Sequence, residues 1–167
     1  MKSPLSVSWA GRSGLAATLF PVSAVLSLSE FVEFARAAGL AVLATASPTG
    51  QPEAALVGIA VTAPGELIVD IPRHARKLAN IDRNDRAAAV IGWDAGVSIQ
   101  VEGRIRLVTG EQRRGYEQSY LARFPDSRVA DPEFEVAVLT PDWVRRYDAT
   151  SDPALIAHAD WLPAHRP

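Results

Sequence analysis

The sequence predicts a mainly β protein, a small β-barrel of Greek-key or split type with helices at its periphery. Three observations carry this. Five or more short runs rich in Val, Ile, Leu and Ala lie between turn signals from residue 40 to residue 148. Three stretches of helical pattern, at 28–38, 73–83 and 110–124, are inserted between these runs without alternating with them one by one. Gly103 interrupts the run at 97–109, as happens where a strand bulges or bends while a sheet curls closed.

The elements follow in order. Ser27 with Glu30 forms a capping box, and Leu26 and Phe31 stand at the two staple positions. A helix over 28–38 is expected, ended by Gly39. Residues 40–47 read as a strand, Pro48-Thr49-Gly50-Gln51-Pro52 as a turn and 53–62 as the returning strand. Ala63-Pro64-Gly65 turns again into a strand at 66–71, giving an antiparallel meander. A helix near 73–83 comes next, then an almost wholly apolar strand at 86–93 that reads as buried on both faces. After Asp94-Ala95-Gly96 comes the longest expected strand, 97–109. The helix at 110–124 and a loop with Pro125 and Pro132 lead to a final pair of strands, 134–139 and 143–148, broken at Pro141. Residues 149–167 read as a loose tail.

Composition narrows the function. A chain of 167 residues suits one domain with a substantial core. With 48% hydrophobic and 22% charged residues it is of ordinary globular type. A net charge of −2 gives no general attraction to nucleic acid or to an anionic membrane, so neither is an expected partner. The absence of cysteine excludes disulfides, thiolate metal ligands and thiol catalysis, and fits a reducing cytoplasm. The three histidines, His74, His158 and His165, make no metal-site spacing, and no metal is expected. Lys2 and the apolar stretch 14–28 have the outline of a secretory leader, but Arg12 and Pro21 sit badly for one and no cleavage site closes it. Residues 1–27 are expected to be a poorly ordered tail.

Chemistry concentrates in Arg73-His74-Ala75-Arg76-Lys77, just past the strand that ends at Asp70-Ile71. On one helix Arg73, Arg76 and Lys77 share a face and repel one another by a few tenths of a kcal/mol per pair, roughly. An anion between them reverses that sign. Arg grips two phosphate oxygens at once, Lys adds a point charge, and the first helical turn offers unpaired N–H groups. A solvated helix face explains the same residues. Ser98, Gln100 and Glu102 line one face of the 97–109 strand, where they either meet the polar edge of a bound ring or face water. Trp143 and Tyr147 suit a ligand, a dimer interface or ordinary packing. Arg123 and Ser127 either hold an anionic substrate or close a helix before Pro125. His74 is either a haem ligand or proton donor, or a surface histidine.

Residues 75–86, with Arg76-Lys77, Asn80-Ile81 and Asn84-Asp85-Arg86, followed by an apolar strand to Trp93, resemble the pyridoxamine 5′-phosphate oxidase-like family of FMN-binding split barrels. Gln100-Val101-Glu102-Gly103-Arg104 is also typical of that family. The likeness covers residues 31–148 and defines a split-barrel flavin-binding domain at 28–148. It implies that Arg76 and Lys77 hold the FMN phosphate, with Ala75 where the family has a serine. It implies that Asp70 and Ile71 touch the cofactor through backbone and that Ala55, Leu56 and Val57 run along the flavin edge. Ser98 or Gln100 matches a cofactor-binding glutamine, and Tyr147 stands where a tryptophan from the second subunit approaches the flavin. Arg123 and Ser127 match substrate-binding positions.

The same resemblance shows departures. Ala55 and Ala60 replace an Arg and a Lys of the true oxidase, Ser119 replaces its substrate tyrosine, and the C-terminal Arg-Leu-x-Pro-type ending is absent. Loss of two charged hydrogen bonds, each worth about 1.5–3 kcal/mol, argues against pyridoxamine phosphate as substrate. The expectation is a homodimeric FMN oxidoreductase with the flavin at the subunit interface, acting on a small molecule not named by the sequence. A deazaflavin (F420) reductase, a haem-binding or haem-degrading protein and a non-catalytic flavin binder are the alternatives.

Overall fold

The computed structural model describes residues 24–162. Strand β1 (Ala24–Leu26) leads into α1 (Leu28–Ala38), whose capping box and left-handed Gly39 stop (φ 64°) form as the sequence predicts. Then come β2 (Leu40–Ala46), β3 (Pro52–Gly58), β4 (Ala60–Val61), β5 (Leu67–Pro72) and the short helix α2 (Arg76–Ile81). Strands β6 (Arg86–Ile91) and β7 (Val97–Leu107) precede α3 (Gly110–Arg123), β8 (Phe134–Asp148) and β9 (Leu155–Ala159).

One sheet runs in the order β1-β9-β8-β7-β6-β2-β3, with β5 joined to β8 and β4 to β5. Only Ile59 separates β3 from β4, and its N–H bonds to Gly39 O at 2.9 Å. These two strands act as one bent strand that pairs with β2 through its first half and with β5 through its second. That closes a barrel β2-β6-β7-β8-β5-β4/β3. Inward residues such as Leu43, Val57, Val69, Ile91, Ile99, Val101 and Leu139 fill it, joined by Phe31 and Ala35 of α1. A second apolar cluster lies between the outer side of β5 and β8 and helix α3, around Ile68, Val136, Val138 and Tyr120.

Several expectations are corrected. The strand at 53–62 splits at Ile59, and β5, which completes the meander through its pairing with β4, also pairs with β8 over residues 67–72. It does so because β5 is apolar on both faces and must be covered by the barrel interior on one side and α3 on the other. Strand β6 is not buried on both faces: it alternates, with Val90 37% exposed. The final strands are one unbroken strand, β8, whose 15 residues exceed the 11 of β7. Gly103 does mark a bulge: Glu102 pairs with Trp143 and Gly103 with Pro141, so Asp142 is the extra residue. A Cβ on Gly103 would lie 2.2 Å from Thr140 O.

The helix expected from residue 73 starts at Arg76, with Arg73 and His74 in the preceding turn. Lastly, the segment after residue 148 is not a loose tail. Strand β9 pairs antiparallel with β8 and parallel with β1, and Trp161 packs on Phe31 with ring centroids 5.4 Å apart. The same pairing orders Ala24–Leu26 at the other end. The secretory-leader reading, the remainder of the expected N-terminal tail and His165 lie outside the described residues.

Candidate functional site

The mouth of α2 meets the start of β3. Ala75 caps the helix through backbone alone, with φ −72° and ψ 134° and no side-chain acceptor. Arg76 then projects outward, its side chain 82% exposed, and its Nε lies 2.7 Å from Glu53 Oε1. Lys77 is half-buried. Arg76, Lys77, Glu53, Ala54, Ala55, Leu43 and Thr45 together line a cleft of about 40 Å³. One water needs about 10–15 Å³ of such space, so this cleft accommodates a small polar head and no ring system.

Below it, Asn80 Nδ2 donates to Glu53 Oε2 at 2.7 Å and to Thr45 Oγ1 at 3.0 Å. Asn80 and Thr45 are buried, so the carboxylate is fixed from inside while Arg76 is tethered only at Nε. Arg73 does not join this group: it pairs with Glu135 at 2.5 Å. Ile71 is fully buried in the barrel, as is most of Val57. Asp70 points away toward α3, where it accepts hydrogen bonds from Tyr120 Oη at 2.7 Å and Ser127 Oγ at 3.3 Å. Burial and this bond to Asp70 push the Tyr120 phenol far above its ordinary range.

The outer barrel face carries the other candidates. Gln100 stands opposite Arg145, and its Oε1 accepts from Arg145 Nη2 at 2.7 Å. Ser98 stands opposite Tyr147, which is 39% exposed. Across the sheet, Gln100 pairs with Val90, Val90 with Val42 and Val42 with Leu56, which is 59% exposed. Within one chain, then, Gln100 is three strand spacings from Leu56, about 14 Å. The structure thus brings Arg76, Lys77, Ala75 and Ala55 together, sets Ser98, Gln100 and Tyr147 apart as a second group, and leaves exposed apolar side chains between them.

Arg123, at the end of α3, has its guanidinium 5.2 Å from the Phe124 ring centroid. It lines a cleft of about 360 Å³ with Ser127, Tyr120 and Gly58, and separately a cavity of about 420 Å³ against β4 and α1. Ser127 lines only the first of these, and its Oγ is engaged with Asp70 and the Val129 N–H. His74 is exposed, and His158 packs edge-on to Trp143 at 6.1 Å. Among the described residues no cluster of metal-ligating side chains occurs, and no helix is long and apolar enough to cross a membrane. Sequence reasoning missed Glu53 and Thr45, because nothing in β3 or β2 alone says that they meet α2. Asn80 left a faint signal, a polar residue on the inner face of a helix.

The barrel, closed through the bent strand β3/β4, and the cleft at the mouth of α2 define a split-barrel architecture. The model of the pyridoxamine 5′-phosphate oxidase family matches residues 28–148, and the chain belongs to that family. Three solved structures share the fold. A haem-binding protein from Mycobacterium smegmatis aligns with TM-score 0.62 and 20% identity over 72% of this chain and 54% of its own. A pyridoxamine 5′-phosphate oxidase-related, FMN-binding protein from Nostoc punctiforme aligns at 0.59 with 13% identity, over 76% and 84%. A conserved hypothetical protein from Mycobacterium tuberculosis aligns at 0.63 with 19% identity, over 87% and 94%. The chain spans about half the length of the Mycobacterium smegmatis protein. No curated protein matches the sequence.

Proposed function

We propose that this chain is an FMN-binding oxidoreductase that works as a homodimer and does not act on pyridoxamine phosphate. The observation that carries the reading is the convergence of Arg76 and Lys77 on one small cleft beside Ala55. That cleft fits a phosphoryl group by charge and by size. Glu53 holds only the Nε of Arg76, so both Nη groups are free to donate to phosphate oxygens. When bound, FMN supplies the hydride chemistry at its ring, and the protein supplies position and charge.

The ring has no room inside the cleft and lies over the outer face beside Leu56. A second copy covers it, bringing Ser98, Gln100 and Tyr147 from its own outer face. The half-exposed phenol of Tyr147 stacks, and Gln100 offers an amide to polar ring edges. Asp70 and Ile71 contribute backbone only, since one side chain faces α3 and the other fills the barrel. Ala55 and Ala60 remove cations that a phosphate-ester substrate needs, which supports a substrate of another kind.

The absorption spectrum of the protein as purified tests the cofactor. The paired visible bands of an oxidised flavin are expected. A single deazaflavin band or a haem Soret band, with no flavin released on denaturation, overturns the assignment.

A further inference from the structure

We infer that Arg145 is a positioning residue for the flavin: it turns the Gln100 amide so that a donor, and not an acceptor, meets the ring, and it sets a positive charge behind that donor. This inference rests on the cofactor reading above and deepens it.

The amide is oriented from its own chain. Gln100 on β7 stands opposite Arg145 on β8, and its Oε1 accepts from Arg145 Nη2 at 2.7 Å. A guanidinium carries donors only, so the oxygen is the end of the amide that it captures. Nε2 is left as the free end, and among the described residues its two N–H groups have no partner.

Arg145 is fixed in turn. Its guanidinium lies 5.6 Å from the Trp143 ring centroid, and Trp143 packs edge-on to His158, which stands opposite Arg145 on β9. Its Nε is buried and makes no hydrogen bond among the described residues. The next residue, Arg146, pairs with Asp148, whereas Arg145 has no carboxylate partner among the described residues. Arg36, Arg83, Arg114 and Arg123 lack one too, but those four are exposed and Arg145 is half-buried. A half-buried cation without a counter-charge is costly unless a ligand meets its field.

A polar ring laid against Gln100 is therefore met by a donor. The amide serves a ring carbonyl or an unprotonated ring nitrogen, and does not accept from a ring N–H. The charge of Arg145 also favours the more negative redox form of the ring, which is the two-electron-reduced one. Arg145 thus raises the midpoint potential of the bound flavin.

Reduction of the FMN-loaded protein against a reference dye gives that potential and tests this. In Arg145→Met the preference for reduced over oxidised flavin is expected to fall about tenfold, which lowers the potential of a two-electron couple by about 30 mV. Arg145→Lys keeps the charge and a donor, and is expected to stay near the wild type. A packing role alone would weaken binding of both redox forms equally and leave the potential where it is. Gln100→Glu is the companion variant, since it keeps an acceptor for Arg145 and offers no donor. Its FMN binding, followed by flavin fluorescence, is expected to weaken at least tenfold with an unchanged thermal midpoint. An unmoved potential in Arg145→Met, or undiminished FMN binding in Gln100→Glu, overturns the role of Arg145 and leaves the flavin reading intact. A wild-type protein that takes up no FMN overturns the flavin reading and this role together.

Discussion

Glu53 and Arg76 are bound through Oε1 and Nε at 2.7 Å, in the same cleft where Arg76 and Lys77 meet. The pair is lopsided: Asn80 anchors the carboxylate from the interior, and the guanidinium is largely in solvent. Glu53 thus lowers the positive charge offered to an incoming phosphate. Glu53→Gln keeps an acceptor for Asn80 and removes the charge. FMN affinity is expected to rise up to about fivefold, the limit set by an exposed ion pair of about 1 kcal/mol. Titration of flavin fluorescence at low and high salt measures this, and the gain should shrink as salt screens it. Weaker binding in the variant would assign Glu53 an orienting role instead.

The double substitution Arg76→Ala, Lys77→Ala removes both cations from the cleft. At about 1.5–3 kcal/mol for each charged hydrogen bond, the loss is expected to be at least a hundredfold, so that the protein purifies colourless. The fold should persist, because Arg76 is exposed and Lys77 only half-buried. Circular dichroism and a denaturant midpoint check the second point. Undiminished FMN retention removes the phosphate site from α2.

The sequence made α1, the Gly103 bulge and the Arg76-Lys77 cluster legible because each is a local rule: a cap, a missing Cβ, a run of charge. It hid the split at Ile59 and the pairing of β5 with β8, since strand partners are chosen by which faces need cover across the whole chain. It misread β8 as two strands because Pro141 looks like a break, and only the partner strand shows that a bulge absorbs it. Arg73 was grouped with Arg76 by helical spacing, but its partner, Glu135, is 62 positions away.

Leu56, Val42 and Val90 stand in register on the outer face, and Leu56 is the most exposed of them. In the proposed dimer this apolar ridge is the surface that the second copy would cover. Light scattering is expected to show a dimer, and Leu56→Glu a monomer that has lost its flavin. A wild-type monomer that retains FMN tightly contradicts the interface.

Gly103 packs against backbone, which cannot give way as a flexible side chain can. Gly103→Ala places a methyl 2.2 Å from Thr140 O unless β7 and β8 part. The expected cost is about 1–3 kcal/mol, read as a lowered midpoint in urea. An unchanged midpoint shows that the bulge shifts freely.

Tyr120 gives the fold a pH dependence of definite sign. Its ring is 3% exposed, and its Oη donates to Asp70 at 2.7 Å. Burial, and then the bond to Asp70, hold the phenol neutral well above its ordinary range. In the unfolded chain a tyrosine ionises near pH 10, approximately. Below that pH both states keep the proton and the contribution is fully present. As pH rises past it, the unfolded chain loses a proton that the folded chain keeps, so stability falls. Tyr120→Phe should therefore lower stability by about 1–3 kcal/mol at neutral pH, because Asp70 keeps only Ser127. It should also flatten the decline above about pH 10. Part of that decline remains, because burial and a bond to Glu66 raise Tyr116 in the same direction. Denaturant midpoints from about pH 7 to 11 measure both effects, and a variant whose profile runs parallel to the wild type at every pH shows that Tyr120 titrates alike in both states.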